Sequence, residues 1–260
     1  MPYARNGNIK LHYQVEGSGT PLVLAHGFMM DTTCWYDFGY VDKFKNHHTL
    51  LILDARGHGK SDKPLEIESY NDKTMAHDVL CVMDKEGISS SHFLGFSMGG
   101  RTGFELATIA PERFFSFTIG SATPGPRTEV GKKSDLKRIK MFREGPEAVA
   151  AVMDKLSPEM DPYRNQAIEG NLDAYLAKTQ SNMNRTDITD DLRHLTVPCL
   201  MYAGDRDPLS HDSAKDTASK IPSAEFISLQ GLKHMYTFGR TDIIFPIVSE
   251  FLESVSSQRA

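Results

Sequence analysis

Cysteine is scarce in this 260-residue chain, and Cys34, Cys81 and Cys199 are odd in number, far apart and without a C-x-x-C pair. That spacing argues against a disulfide framework and against a zinc site. Excess positive charge is missing too. A formal net charge of −5 leaves no electrostatic reason to expect nucleic acid or an anionic membrane as a partner. No apolar run approaches the ~20 residues of a membrane span. The opening Met1-Pro2-Tyr3-Ala4-Arg5-Asn6-Gly7 lacks the apolar core of a signal peptide, which points to the cytoplasm. With 40% hydrophobic content the chain has enough apolar material for one enzyme-sized domain.

Against these absences stands Gly95-Phe96-Ser97-Met98-Gly99, followed by Gly100. The pentapeptide matches G-x-S-x-G, a sharp strand-to-helix turn that exposes its serine in strained backbone geometry. Ser91 to Phe96 reads as a short buried strand. Beyond the turn, Gly103, Ala107 and Ala110 recur at helical spacing and let a helix pack close to a sheet. Strand, elbow and helix is the context the motif requires, so Ser97 is the expected nucleophile.

A serine hydroxyl is a weak nucleophile at neutral pH and needs a histidine base, oriented by a carboxylate. Behind such an elbow the chain order is serine, acid, histidine. His211 and His234 lie well beyond it in loop-like settings. His234 closes Gln230-Gly231-Leu232-Lys233-His234, directly after the apolar run Phe226 to Leu229. Catalytic groups of open α/β sheets sit at such strand ends, which favours His234. For the acid, Pro198 to Ala203 reads as a buried strand and Gly204-Asp205-Arg206-Asp207-Pro208 as the turn after it. Asp205 is assigned to turn formation and Asp207 to the acid.

With these elements in order, the chain resembles the α/β-hydrolase superfamily. His26-Gly27-Phe28 follows the strand Leu22 to Ala25, where that family keeps its H-G-x oxyanion segment. Asp54-Ala55-Arg56-Gly57-His58-Gly59-Lys60-Ser61 is similar to its D-x-R-G-x-G-x-S turn. Gly204 to Asp207 and Gly231 to His234 are similar to its G-x-x-D and G-x-x-H segments. The resemblance runs from about residue 8 to about residue 257 with one segment outside it. It implies an α/β fold, with a mostly parallel central sheet, helices on both faces and a helical cap. It also implies a catalytic set of Ser97, Asp207 and His234, with the backbone N–H groups of Phe28 and Met98 as the oxyanion hole. Donors of that kind lower the barrier by about 3 to 4 kcal/mol each. His26 and Arg56 are expected to tie loops in place.

Apolar runs at Leu22 to Ala25, Thr49 to Leu53, Phe93 to Phe96, Phe114 to Ile119, Pro198 to Ala203 and Phe226 to Leu229 are mostly separated by helix-like stretches. These include Thr74 to Lys85 and Asp242 to Val255. Such alternation gives a parallel sheet. Asn6-Gly7 reads as a hairpin turn before the alternating strand Ile9 to Val15. Phe38-Gly39-Tyr40 interrupts the helix expected after Trp35. Strand signal vanishes between Thr123 and Leu195, where Ile168, Leu172, Tyr175 and Leu176 give a helical pattern. The expected division is therefore a core of residues 1–123 and 196–260 with a cap of residues 124–195.

Arg127 to Arg143 carries seven basic residues and two acids and reads as a solvated helix face, with an anion-attracting rim as the alternative. Met29, Trp35 and Met235 flank the motifs as expected substrate contacts. Met153, Met160 and Met183 lie in the cap, where flexible thioethers suit an adaptable apolar pocket for a small or medium acyl group. No cofactor or metal is expected. Ser97 argues against haloalkane dehalogenases and epoxide hydrolases, which place an aspartate at the elbow. Ester or lactone hydrolysis leads. Hydrolysis of activated C–C bonds and cofactor-free perhydrolysis use the same residues, and some small-molecule receptors share the fold.

Overall fold

The structure, a computed structural model, describes residues 2–258. Eight strands form one sheet in the order β1-β2-β4-β3-β5-β6-β7-β8. They are β1 (Tyr3–Asn6), β2 (Ile9–Gly17), β3 (Thr20–Ala25), β4 (His48–Leu53), β5 (Ser91–Phe96), β6 (Phe114–Gly120), β7 (Cys199–Gly204) and β8 (Ala224–Leu229). The β1–β2 and β2–β4 pairs are antiparallel and the remaining neighbours run parallel. Asn6 pairs with Ile9 across the turn the sequence suggested.

The side-chain period of two divides the central strands between two cores. Val23, Leu51 and Phe93 point to one face, where they meet α3 (Asp72–Lys85), α4 (Met98–Ile109) and α9 (His211–Lys220). Leu22, Leu24, Leu50 and Leu94 point to the other, against α1 (Thr33–Asp37), α2 (Tyr40–Phe44) and α11 (Thr241–Ser257). Burial on both faces explains why these strands read as continuous apolar runs rather than alternating ones. The interruption expected after Trp35 is present: α1 ends, Gly39 takes a left-handed φ of 77°, and α2 resumes.

Strand order reverses at β3, which has β4 on one side and β5 on the other. Such a switch point opens a crevice at the C-terminal strand ends, here between the loops that carry Phe28 and Ser97. Residues 121–198 contain no strand. They hold α5 (Glu129–Glu144), α6 (Pro146–Met153), α7 (Asp161–Glu169) and α8 (Leu172–Met183). The pattern from Ile168 to Leu176 belongs to two helices: the chain is extended at Gly170, and the Asn171 side chain caps α8 by accepting from the Ala174 N–H at 2.9 Å. A short helix, α10 (His234–Gly239), begins at a candidate site residue. Among the described residues no helix is long and apolar enough to cross a membrane.

Candidate active site

Ser97 joins β5 to α4 with φ 52° and ψ −104°, a conformation that costs a non-glycine residue of order 1–3 kcal/mol. The surroundings hold it there. The Ser97 N–H donates to the Gly120 carbonyl at 2.8 Å, its carbonyl accepts from the Arg101 N–H at 2.9 Å, and the Gly99 N–H donates to His26 O at 3.0 Å. A Cβ on Gly99 would lie 2.0 Å from the Ala25 carbonyl oxygen, and one on Gly95 2.5 Å from Gly99 O. The two flanking glycines are thus fixed by close backbone approach.

The expected trio comes together. Ser97 Oγ lies 2.8 Å from His234 Nε2, and His234 Nδ1 lies 2.7 Å from Asp207 Oδ2. With the imidazole neutral, Nδ1–H donates to the carboxylate and Nε2 accepts from the serine hydroxyl. The imidazole is 18% exposed and the Asp207 side chain fully buried. Burial pushes the Asp207 carboxyl up, but donors from His234, Ser210 Oγ and the Leu209 N–H outweigh it and hold the carboxyl below its ordinary range. Asp205 accepts from the Gly231 N–H at 2.7 Å and so ties the two loops that carry acid and histidine. His211 pairs with Asp212 and Ser228, away from Ser97.

His26 braces the loop after β3. Its Nδ1–H donates to Gly27 O at 2.8 Å while Nε2 accepts from the Ala55 N–H at 3.1 Å; burial lowers its pKa, as suits this neutral bridging form. Arg56 closes a bidentate pair with Asp78 at 2.6 and 2.5 Å. Next to Phe28, Met29 takes a left-handed φ of 64°. Met98 stands at the first turn of α4, where N–H groups lack intrahelical partners and carry partial positive charge.

In front of Ser97 lies a cavity walled by Phe28, Met98, Ser121 and His234, and by the cations Arg101, Arg127, Arg138, Lys178 and Arg185; Asp72 is the one acidic wall residue. Met29, Trp35 and Met235 do not form these walls. Met29 and Trp35 are each 1% exposed in the core beneath α1, and Met235 packs against that same core. Met153 and Met160 are core residues as well. The basic stretch from Arg127 is only partly a solvated face, because Arg127 and Arg138 turn inward to share the buried Asp135, at 2.6 and 3.0 Å. Arg138 also lies 5.9 Å from the centroid of the Phe28 ring.

Lys178, Arg185 and Arg101 were not expected at the site. A signal existed for Lys178, since a lysine among Ala174, Tyr175 and Ala177 sits on the buried face of its helix. Lys178 Nζ and Arg101 Nε grip the two oxygens of Asp72 at 2.8 and 2.9 Å, and Arg101 reaches Glu105 at 2.8 Å and Thr186 O at 2.9 Å. Burial pushes the Asp72 carboxyl up, yet the charges of Lys178 and Arg101 prevail and bring it down to about 2.

Fold and geometry define an α/β protein with a serine raised on a strand-to-helix elbow at a topological switch point. The alpha/beta hydrolase fold family model matches residues 20–152, just over half of the chain, and the protein belongs to that family. It is similar to a putative carbamate hydrolase RutD of Azorhizobium caulinodans, 28% identical over 94% of this chain and 95% of that one. It is also similar to 3-oxoadipate enol-lactonase 1 of Acinetobacter baylyi, 23% identical over 94% of both. Among solved structures, an enol-lactonase from Burkholderia xenovorans superposes with a TM-score of 0.85 at 25% identity, covering 97% of this chain and 100% of that one.

Proposed function

We propose that the protein is a serine hydrolase of carboxylic esters or lactones. The observation that carries this reading is the continuous hydrogen-bond chain from Ser97 Oγ through His234 to buried Asp207. The similarity to relatives named as an enol-lactonase and a carbamate hydrolase supports it.

In this mechanism Ser97 Oγ attacks the acyl carbon as its proton passes to His234 Nε2. Asp207 keeps the proton of Nδ1 in place and stabilises the imidazolium. Negative charge gathers on the former carbonyl oxygen, which the N–H groups of Phe28 and Met98 receive as the oxyanion hole. Collapse expels the alkoxide, His234 returns the proton to it, and an acyl-Ser97 ester remains. Water then attacks that ester with His234 again as base, releasing the acid and restoring the serine. Residues 124–195 serve as the cap over this centre, since α5, α8 and the segment after α8 supply Arg138, Lys178 and Arg185 to the cavity.

The test is a panel of p-nitrophenyl esters and lactones of varied chain length, run beside activated diketones. The expected outcome is ester or lactone turnover on the order of 1 per second or faster. Diketone cleavage without ester turnover would move the protein to C–C bond hydrolysis. Saturable binding without turnover would make it a receptor.

A further inference from the structure

The cations around Ser97 fall into two kinds. Arg101 and Lys178 are matched by Asp72 and Glu105, and Arg127 and Arg138 share Asp135. Arg185 has no acidic partner among the described residues. Among the described residues its guanidinium reaches only the Pro126 carbonyl, at 3.4 Å, and its buried Nε finds no acceptor. Burial, followed by the neighbouring charges of Arg101 and Arg127, pulls the Arg185 guanidinium down to about 10. It remains protonated at neutral pH in a site of surplus positive charge.

A second donor in the same cavity is also unsatisfied. Ser121 stands just past β6 with a strained φ of 48°, and its Oγ is buried without a partner among the described residues. A buried donor left open is unfavourable, so two in one cavity mark a place for acceptor oxygens from outside the chain. A guanidinium fork matches a planar two-oxygen anion, and a cavity of one predominant sign concentrates ligands of the other.

We infer that the substrate carries a free carboxylate beside the cleaved bond, received by Arg185 with Ser121 Oγ as the second donor. The inference rests on the ester-hydrolase reading only for the cleaved bond; carboxylate binding does not depend on it. The substrate class is thus acidic esters or lactones, in place of the adaptable apolar pocket for a small or medium acyl group that the methionines suggested.

Calorimetry at fixed ionic strength tests the binding without turnover, using adipate against its neutral isostere adipamide. Adipate should bind at least about tenfold more tightly, Arg185→Gln should weaken it by at least about tenfold, and Arg185→Lys should recover part of the loss. Equal affinity for adipate and adipamide overturns the inference. So does binding of inorganic phosphate but not adipate, or unchanged adipate affinity in an Arg185→Gln protein that melts like the parent.

A kinetic arm compares p-nitrophenyl hydrogen adipate with p-nitrophenyl methyl adipate, corrected for spontaneous hydrolysis. The ratio of their kcat/KM values should be at least about ten in the parent and fall towards one in Arg185→Gln. A parent ratio near one overturns the inference while leaving the hydrolase reading intact. If adipate binds as stated but neither ester is turned over, the hydrolase reading fails and carboxylate recognition stands.

Discussion

Two regions face each other across the cavity. On the sheet side, Ser97, Asp207 and His234 each stand within five residues of the end of β5, β7 or β8, and hydrogen bonds between adjacent loops hold them. On the helical side, between β6 and β7, Arg138, Lys178 and Arg185 come from the middle of α5, from α8 and from the chain after it. The sheet residues gain their geometry from local backbone constraints: a strained serine, glycines at close approach and parallel strand ends. Arg138 and Lys178 gain theirs from the way helices pack, through the Asp135 and Asp72 ion pairs, and Arg185 from its place just after α8 beside the Pro126 carbonyl. Local constraint fixes the three sheet-side groups relative to one another, whereas helix packing sets the charge of the wall that faces them.

The largest effect should come from the sheet side alone. Ser97→Ala should lower kcat by about 10⁵-fold or more with an unchanged melting curve. Asp207→Asn should cost about 10⁴-fold in kcat through loss of the imidazole tautomer, while Asp205→Asn should cost under about threefold. The reverse ranking would move the acid to Asp205 and undo the division of roles between the two aspartates.

On the helical side the effects should be on stability. Met160 is fully buried, so Met160→Ala should destabilise the fold by about 3 kcal/mol in denaturant titrations. Its relative rates on acetate and butyrate esters should stay within about twofold of the parent's. A selective loss on the longer ester would restore Met160 to the acyl pocket.

The smallest effect probes the joint between the regions. Asp72 on α3 holds Lys178 of α8, and its folded carboxyl lies at about 2 against an ordinary 3.8. A depressed folded value stabilises above the unfolded value and loses that stability as pH falls through the folded one. The contribution is about 2 kcal/mol near neutral pH, lost progressively between about pH 4 and pH 2. Asp72→Asn should shrink that part of the acid-unfolding profile, measured by circular dichroism at stepped pH.

The same division governs what the sequence could disclose. Six central strands, the elbow, both acidic-loop aspartates and His234 were legible because each rests on a few contiguous residues with a fixed backbone requirement. The break at Gly39 was legible for the same reason. Arg127 and Arg138 were read as surface because charge on an amphipathic helix defaults to solvent, and their inward turn depends on Asp135 being buried. Nothing near Arg185 in the chain marks it, since its place in the wall is fixed by α8 packing and by Pro126, far away in sequence. Met29 and Trp35 lay near the motifs in sequence, yet sequence neighbours on a turning loop face different ways, and these two face the core.

The sheet side is expected to activate Ser97 alone, although Ser121 lines the same cavity. A fluorophosphonate probe followed by peptide mapping tests it most directly. One labelled peptide carrying the probe on Ser97 is expected, with no labelling in Ser97→Ala. Labelling on Ser121, or labelling that persists in Ser97→Ala, would contradict it.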